Sequence, residues 1–264
     1  ESVAPHEPRS VSFELLRQSL DFAQRRGLTH HEWWTRASML WHLYEAGEWD
    51  ELLREYREVV RWDQEQGGTQ IEVNARTATV AALAQRGEFD EAFRSIAVFL
   101  PRAREIADPQ ALAPALNEAA FVHALYGQLD EATSLVAEFE AATRTGGQRL
   151  PGLVTAVGVA VAADRIELAQ TLYDGRPHVP PSLAGDAALV TVRAMLAEAR
   201  RELGEAAELY RDGAVRWETW GSVMQRAYAL LGLGRCGDEA ALREGMAVFE
   251  RLGAVPLTFT ARAA

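Results

Sequence analysis

The chain has 264 residues, of which 48% are hydrophobic, and a formal net charge of -11. That length buries a sizeable core, and the negative charge repels the phosphate backbone that sequence-independent nucleic-acid binding must neutralise. All 27 cationic side chains are arginine and there is no lysine, which excludes a Gly-Lys-Ser/Thr phosphate loop, a Schiff base and a lysine catalyst. The single cysteine, Cys236, excludes a disulfide framework and a cysteine metal cluster, and reads as a small buried residue. No window has the apolar length of a membrane span or the layout of a signal peptide, so a cytoplasmic protein is expected. Glu1 in place of Met, followed by two prolines before Val11, predicts a linker over 1–10 and a segment taken from a longer polypeptide.

In chain order, the first helix is expected over Val11–Arg26, as a cap without a partner. A second follows over Thr29–Ala46, opened by a capping box in which Thr29 accepts from the Glu32 amide and Glu32 reaches back. Thr69 and Glu72 repeat that device, Asp108-Pro109 supplies a cap and a proline at the first helical position, and Pro151 opens a later helix in the same way. Between these starts, helices are predicted over Asp50–Gln66, Asp90–Ile106 and Asp130–Thr145. Two of them stop at double glycines, Gly67-Gly68 and Gly146-Gly147, and Pro101 kinks the middle one. Leu153–Val161 is valine-rich, yet its small-residue spacing favours a buried helix. Residues 174–186, with three prolines and two glycines, form the longest break and a candidate hinge.

The strongest signal is internal repetition. Gly47-Glu48-Trp49-Asp50-Glu51-Leu52, Gly87-Glu88-Phe89-Asp90-Glu91-Ala92 and Gly127-Gln128-Leu129-Asp130-Glu131-Ala132 stand 40 residues apart. Fainter copies follow at Arg165, Glu202 and Gly237, giving six units. In each, a helix ends at a residue suited to a left-handed turn, an apolar residue plugs the turn, and acids open the next helix. Such hairpins bury their apolar faces only by stacking, which predicts a curved solenoid with a concave groove.

The repeated turn, with Ala92, Ala132, Ala169, Ala206 and Ala240 early in the second helix and Tyr56 and Tyr210 further along, resembles the tetratricopeptide repeat. Leu52 replaces the alanine in unit one, and the period is longer than the family's usual one. The resemblance implies an all-α fold, a right-handed α-solenoid of six hairpins with an N-terminal capping helix. It places the capping helix and units one to four in 11–173, an irregular connection at 174–186, units five and six in 187–254 and a tail at 255–264. The longer units, the stretches Tyr228–Arg235 and Phe249–Ala254, and the opening Arg25–Thr29 with Trp33-Trp34 are similar to the C-terminal regions of bacterial signal-transduction ATPases of the maltose-regulator type and of those fused to adenylate-cyclase-like domains. In those proteins the region senses a ligand or partner and controls the ATPase.

The same register implies groove positions at Trp34, Ala37, Trp41 and Tyr44 in unit one, Asn74 and Thr77 in unit two, and Asn117 and Phe121 in unit three. Trp34, Trp41 and Tyr44 with the two asparagines suit a peptide side chain or a sugar ring. The alternative is that these tryptophans pack against the helix at 11–26. Arg36 and Arg76 are expected to be solvated or paired with glutamate. His31-Glu32-Trp33-Trp34-Thr35 lacks the second histidine of a zinc helix, so no metal or cofactor is implied, and His123 is expected as a hydrogen-bonded buried imidazole. No nucleophile turn, paired carboxylates or glycine-rich loop is apparent, which predicts no catalysis.

Two functions follow. The first is a non-catalytic protein-interaction and regulatory scaffold whose groove takes a peptide, a helix or another domain of a larger bacterial signalling or transcription-regulating protein, with homodimerisation through a terminal repeat. The second is a small-molecule sensor using the aromatic groove for an oligosaccharide or metabolite. A deep aromatic pocket favours the sensor, and a long shallow groove favours the scaffold.

Overall fold

Helices that are apolar on one stripe lie at a surface, whereas helices that are apolar all round must be enclosed on every side. The sequence alternates between the two, and the layers follow from that alternation. In a computed structural model describing residues 7–145, 147–178 and 180–255, the chain forms thirteen helices and no strand among the described residues. They are α1 (Arg9–Arg26), α2 (Thr29–Ala46), α3 (Trp49–Glu65), α4 (Gln70–Gln85), α5 (Phe89–Ile106), α6 (Pro109–Tyr126), α7 (Leu129–Ala142), α8 (Arg149–Ala162), α9 (Ile166–Asp174), α10 (Leu183–Ala199), α11 (Leu203–Trp220), α12 (Val223–Arg235) and α13 (Glu239–Leu252). None of them is long and apolar enough to cross a membrane.

Helices α4, α6, α8, α10 and α12 bury residues on all sides, while α3, α5 and α13 bury a single face. The even-numbered helices are accordingly the inner layer: α2 packs on α4, α4 on α6, α6 on α8, α8 on α10 and α10 on α12. Each odd-numbered helix from α3 to α11 packs outside, against its two neighbours in sequence, and α13 covers α12. This is the all-α, solenoid-like arrangement that the repeat predicts.

What the repeat does not announce is closure. Helix α12 returns to pack on α2, so the inner layer is a cycle. Gly47, which ends α2 in the left-handed conformation at φ 73°, faces Val223, Arg251 and Leu252 from the far end of the chain. The Arg86 Nε donates to the Leu252 carbonyl at 3.1 Å, and the Val255 amide donates to the Gln85 carbonyl at 2.8 Å. The expected open groove is therefore one side of a space ringed by the inner helices.

Most helix starts fall where the turn signals place them, with two corrections in how they are capped. At α2 the N-cap is Leu28, and Thr29 already lies inside the helix. Gly27 turns the chain in the left-handed conformation and leaves room for Leu28 alone before helical geometry resumes, so no Thr29/Glu32 box forms. Glu32 instead accepts from Gln24 of α1 at 3.1 Å. At α4, Thr69 does cap, accepting from the Ile71 amide. The reciprocal arm comes from the buried Asp63, whose carboxylate accepts from the Thr69 amide, the Thr69 hydroxyl and the Glu72 amide. Glu72 is thereby released to pair with Arg76 and Arg102. Arg36 pairs with Glu55 across α2 and α3 at 2.8 Å.

Asp108 caps α6 by accepting from the Gln110 amide. Helix α5 runs through Pro101. Helix α10 starts at Leu183, capped by Ser182, which shortens the break predicted over 174–186. Residues 1–6 of the predicted linker, 256–264 of the predicted tail, and Gly146 of the predicted double-glycine stop lie outside the described residues.

One tight point between layers is Gly232 of α12. A methyl group there would stand 2.4 Å from the ring of Tyr210 on α11. That ring is buried and held by its hydroxyl, which donates to Glu198 at 2.6 Å. Gly232→Ala is expected to cost about 1–3 kcal/mol, as overpacking does in a tight core. A thermal melt should show the Tm falling by several degrees, and an unchanged Tm would mean that the layers separate freely.

Candidate functional site: an acidic aromatic cavity inside the ring

Inner helices that close on themselves leave a space along their axis, and its chemistry is set by whichever side chains point inward. The space is a cavity of about 590 Å³, within the range of small-molecule sites. Helix α2 supplies Trp41, His42, Tyr44 and Glu45, α4 supplies Asn74, and α6 supplies Asn117, Glu118 and Phe121. Phe139 of α7, Pro151 and Val154 of α8, Trp217 and Trp220 at the end of α11, and Gln225 and Tyr228 of α12 complete the wall, with Arg9 at the start of α1. Gly152 admits the wall's closest packing, since a methyl group there would meet Phe139 at 2.9 Å and Asn117 at 3.2 Å.

Five of the eight predicted groove residues meet here: Trp41, Tyr44, Asn74, Asn117 and Phe121. The other three stand apart from the cavity. Trp34 is exposed, Ala37 is packed into the core between helices, and Thr77 is buried with its hydroxyl donating back to the Val73 carbonyl. The helix of unit one turns its inward face only from Trp41 onward, where α12 arrives against it, so the four-residue stripe of unit one is split. The expected pairing of an aromatic with an asparagine is present as a hydrogen bond, Trp41 Nε1 donating to Asn74 Oδ1 at 3.1 Å. Phe13 of α1 stands against His42 of α2, with ring centroids 5.6 Å apart. His123 is hydrogen-bonded, to Gln128 at 2.7 Å, but keeps part of its surface exposed, and Cys236 is likewise only half-buried.

The cavity wall and the seam of the ring share Arg9, Tyr44, Glu45 and Tyr228. Tyr44 donates to Gln85 Oε1 at 3.1 Å, and Gln85 Nε2 donates to the Tyr228 hydroxyl at 2.7 Å, linking α2, α4 and α12. The Ser222 hydroxyl, which also caps α12, donates to Glu45. Arg9 donates to the Gly221 carbonyl at 3.0 Å and the His42 carbonyl at 2.9 Å, bridging the first helix to both ends of the seam.

Two carboxylates in this space were not foreseen, and their environments differ. Burial pushes Glu45 up, opposed by the Ser222 hydrogen bond, the Arg9 charge and Gln225. Glu118 is pushed up to about 8 by burial first and by the Glu45 charge second, with only the Asn117 hydrogen bond opposing. Burial, then the nearby Arg9 charge, lowers His42 to about 4, so its ring is neutral at neutral pH. Burial also raises Tyr44 well above its ordinary range. Glu118 is the single acid of α6 and stands among alanines and leucines, a signal available in the sequence. Glu45 follows directly on a predicted groove residue. Trp217, Trp220, Gln225 and Tyr228 had no such signal, because only closure brings them to the cavity.

No family model and no curated protein matches the chain. Among solved structures, the chain is similar to BtubC (BKLC) from P. vanneervenii at 14% identity, covering 96% of this chain and 94% of that one with a TM-score of 0.43. A likeness of that degree carries no argument about this cavity.

Glu118 sets the pH dependence of stability. Its folded form keeps a proton that the unfolded chain has released between the ordinary carboxylate range and about pH 8, so stability falls as pH rises through that window. Glu45 acts in the same direction. His42 acts oppositely and lower, its lowered value costing stability as pH falls from its ordinary 6.5 toward 4. Glu118→Gln is therefore expected to match the parent Tm near pH 5 and to exceed it by several degrees at about pH 8.5. Parallel pH profiles for the two proteins would show that Glu118 is an ordinary solvated carboxylate.

Proposed function

We propose that this chain is a tetratricopeptide-like sensor module that holds a small organic molecule inside its ring and reports occupancy to the protein or domains it serves. The observation that carries this reading is that Tyr44, Glu45 and Tyr228 both line the cavity and fasten the ends of the ring. A ligand touching them binds the closed form better than an opened one, and can therefore shift the ring between states by the difference in those affinities. A cavity of about 590 Å³ with aromatic walls and a few convergent polar groups favours this over a peptide scaffold, which needs a long accessible groove.

The repeat spacing, the alternation of inner and outer hairpin helices, and the likeness of the closing stretches to bacterial signal-transduction ATPases support a regulatory place within a larger cytoplasmic protein. The reading is of a receptor rather than an enzyme. Its partners would be other domains of the parent polypeptide or a second protein engaging the outer helices. The net charge of -11 speaks against nucleic acid among them.

Thermal melting and tryptophan fluorescence across a panel of sugars, nucleotides, amino acids and amines test this reading, since Trp41, Trp217 and Trp220 all face the cavity. A saturable rise in Tm of several degrees is expected, with affinity lowered about tenfold or more in Trp220→Ala or Trp41→Ala variants that still melt cooperatively. A panel without effect on the folded protein, or a ligand indifferent to both substitutions, would contradict the sensor and return the search to protein partners.

A further inference from the structure

We propose, resting on the sensor reading, that the ligand of the cavity is an organic ammonium cation with an apolar body, its charged nitrogen held between Glu118, Asn117 and Glu45. Asn117 is 3% exposed, lines the cavity, and its Oδ1 has no hydrogen-bond partner. The same side chain lies within hydrogen-bonding reach of Glu118. A buried acceptor left unmade costs about 1–3 kcal/mol, so the position wants a donor that the protein does not supply.

Glu118, the next residue along the same helix, has no cationic partner among the described residues, and the charged group that acts on it is a second carboxylate, Glu45. The chain has no lysine to offer, and Arg9, the cation of the cavity wall, acts on Glu45 and is already donating to two backbone carbonyls. Two carboxylates and a spare amide oxygen thus converge with one committed cation. An anionic ligand would be repelled by Glu45, and a purely apolar one would leave the Asn117 oxygen without a donor. A sugar would satisfy some of these groups but presents as many acceptors as donors.

A metal ion fits poorly. Among the described residues no three His, Cys, Asp or Glu side chains stand close enough to share one, and the volume is far larger than an ion requires. An ammonium group supplies donors alone, favours the ionised form of Glu118, and places its carbon body against Trp41, Trp217, Trp220 and Phe121, where indole faces attract cations as well as bury methylenes. The surplus of acids over the whole chain draws the same class of ligand toward the ring.

The test uses matched pairs that differ in charge alone: 1,6-diaminohexane against 1,6-hexanediol, and phenethylamine against 2-phenylethanol, by calorimetry and thermal shift on the full chain, with glucose and maltose beside them. At least one amine is expected to bind saturably and more than about thirtyfold tighter than its alcohol, and Glu118→Gln is expected to remove most of that advantage. The parent protein's amine-to-alcohol ratio keeps the test independent of whether the variant folds. Equal binding of amine and alcohol, an amine affinity unchanged in folded Glu118→Gln, or binding of the sugars alone would overturn the cation while leaving a small-molecule sensor standing. Failure of every probe to bind the folded protein would overturn both.

Discussion

The seam between α12 and α2 is the constraint on which the rest of this molecule depends. A solenoid of hairpins has two exposed ends and an open groove, and its stability is a sum of neighbouring contacts. Here the ends meet, and one set of contacts does three things. It buries the last apolar faces of α2 and α12, it encloses the axis of the ring, and it leaves Glu45 and Glu118 half-buried on the cavity wall. The links are polar and come from residues more than a hundred positions apart, such as Gln85 to Tyr228 and Arg9 to Gly221. Each is worth about 1 kcal/mol by itself. Together they turn an extended stack into a container.

Enclosure explains the electrostatics without further assumption. A carboxylate at the surface of a chain this acidic would need only water. The same carboxylate on the cavity wall gives up part of its hydration and lies near a second acid, and both effects strengthen its hold on a proton. A protein selected for stability alone would place an apolar residue at Glu118 and a smaller one at Asn117. Departures of this kind from local consistency concentrate at functional sites, and here they occur where aromatic residues from several helices converge. Elsewhere in the core the buried Asp63 is fully served, accepting three bonds.

Much of the fold could be read from the sequence, because it is built from local signals repeated. Gly47, Gly87 and Gly127 with the acids behind them mark turns, and the expected helix starts lie within a residue or two of those observed at α2, α3, α5 and α7. Thr69 and Asp108 act as caps through their own side chains. Less of the site was legible. Trp41, Tyr44, Asn74, Asn117 and Phe121 follow from helical spacing within the first three units, whereas Trp34 and Thr77 share that spacing and face elsewhere. The periodicity of a helix gives a face but not the curvature of the stack, and curvature decides where along that face the cavity begins. Trp217, Trp220 and Tyr228 belong to the site solely through contacts between the chain's two ends, which no local pattern encodes. Glu118 was visible as a lone acid in an apolar helix, yet on an open solenoid its natural place is solvent.

Closure of the ring in solution is the premise shared by the buried acids, the cavity and its ligand, and it is measured directly by the distance between the ends. Spin labels at the exposed positions Glu48 and Arg251, in a protein carrying Cys236→Ser, sit on either side of the seam where Gly47 meets the Arg251 side chain. The closed ring predicts one short and narrow distance distribution between these labels in the unliganded protein. A broad distribution centred at long distance would mean an open solenoid, with Glu45 and Glu118 in water and no enclosed site.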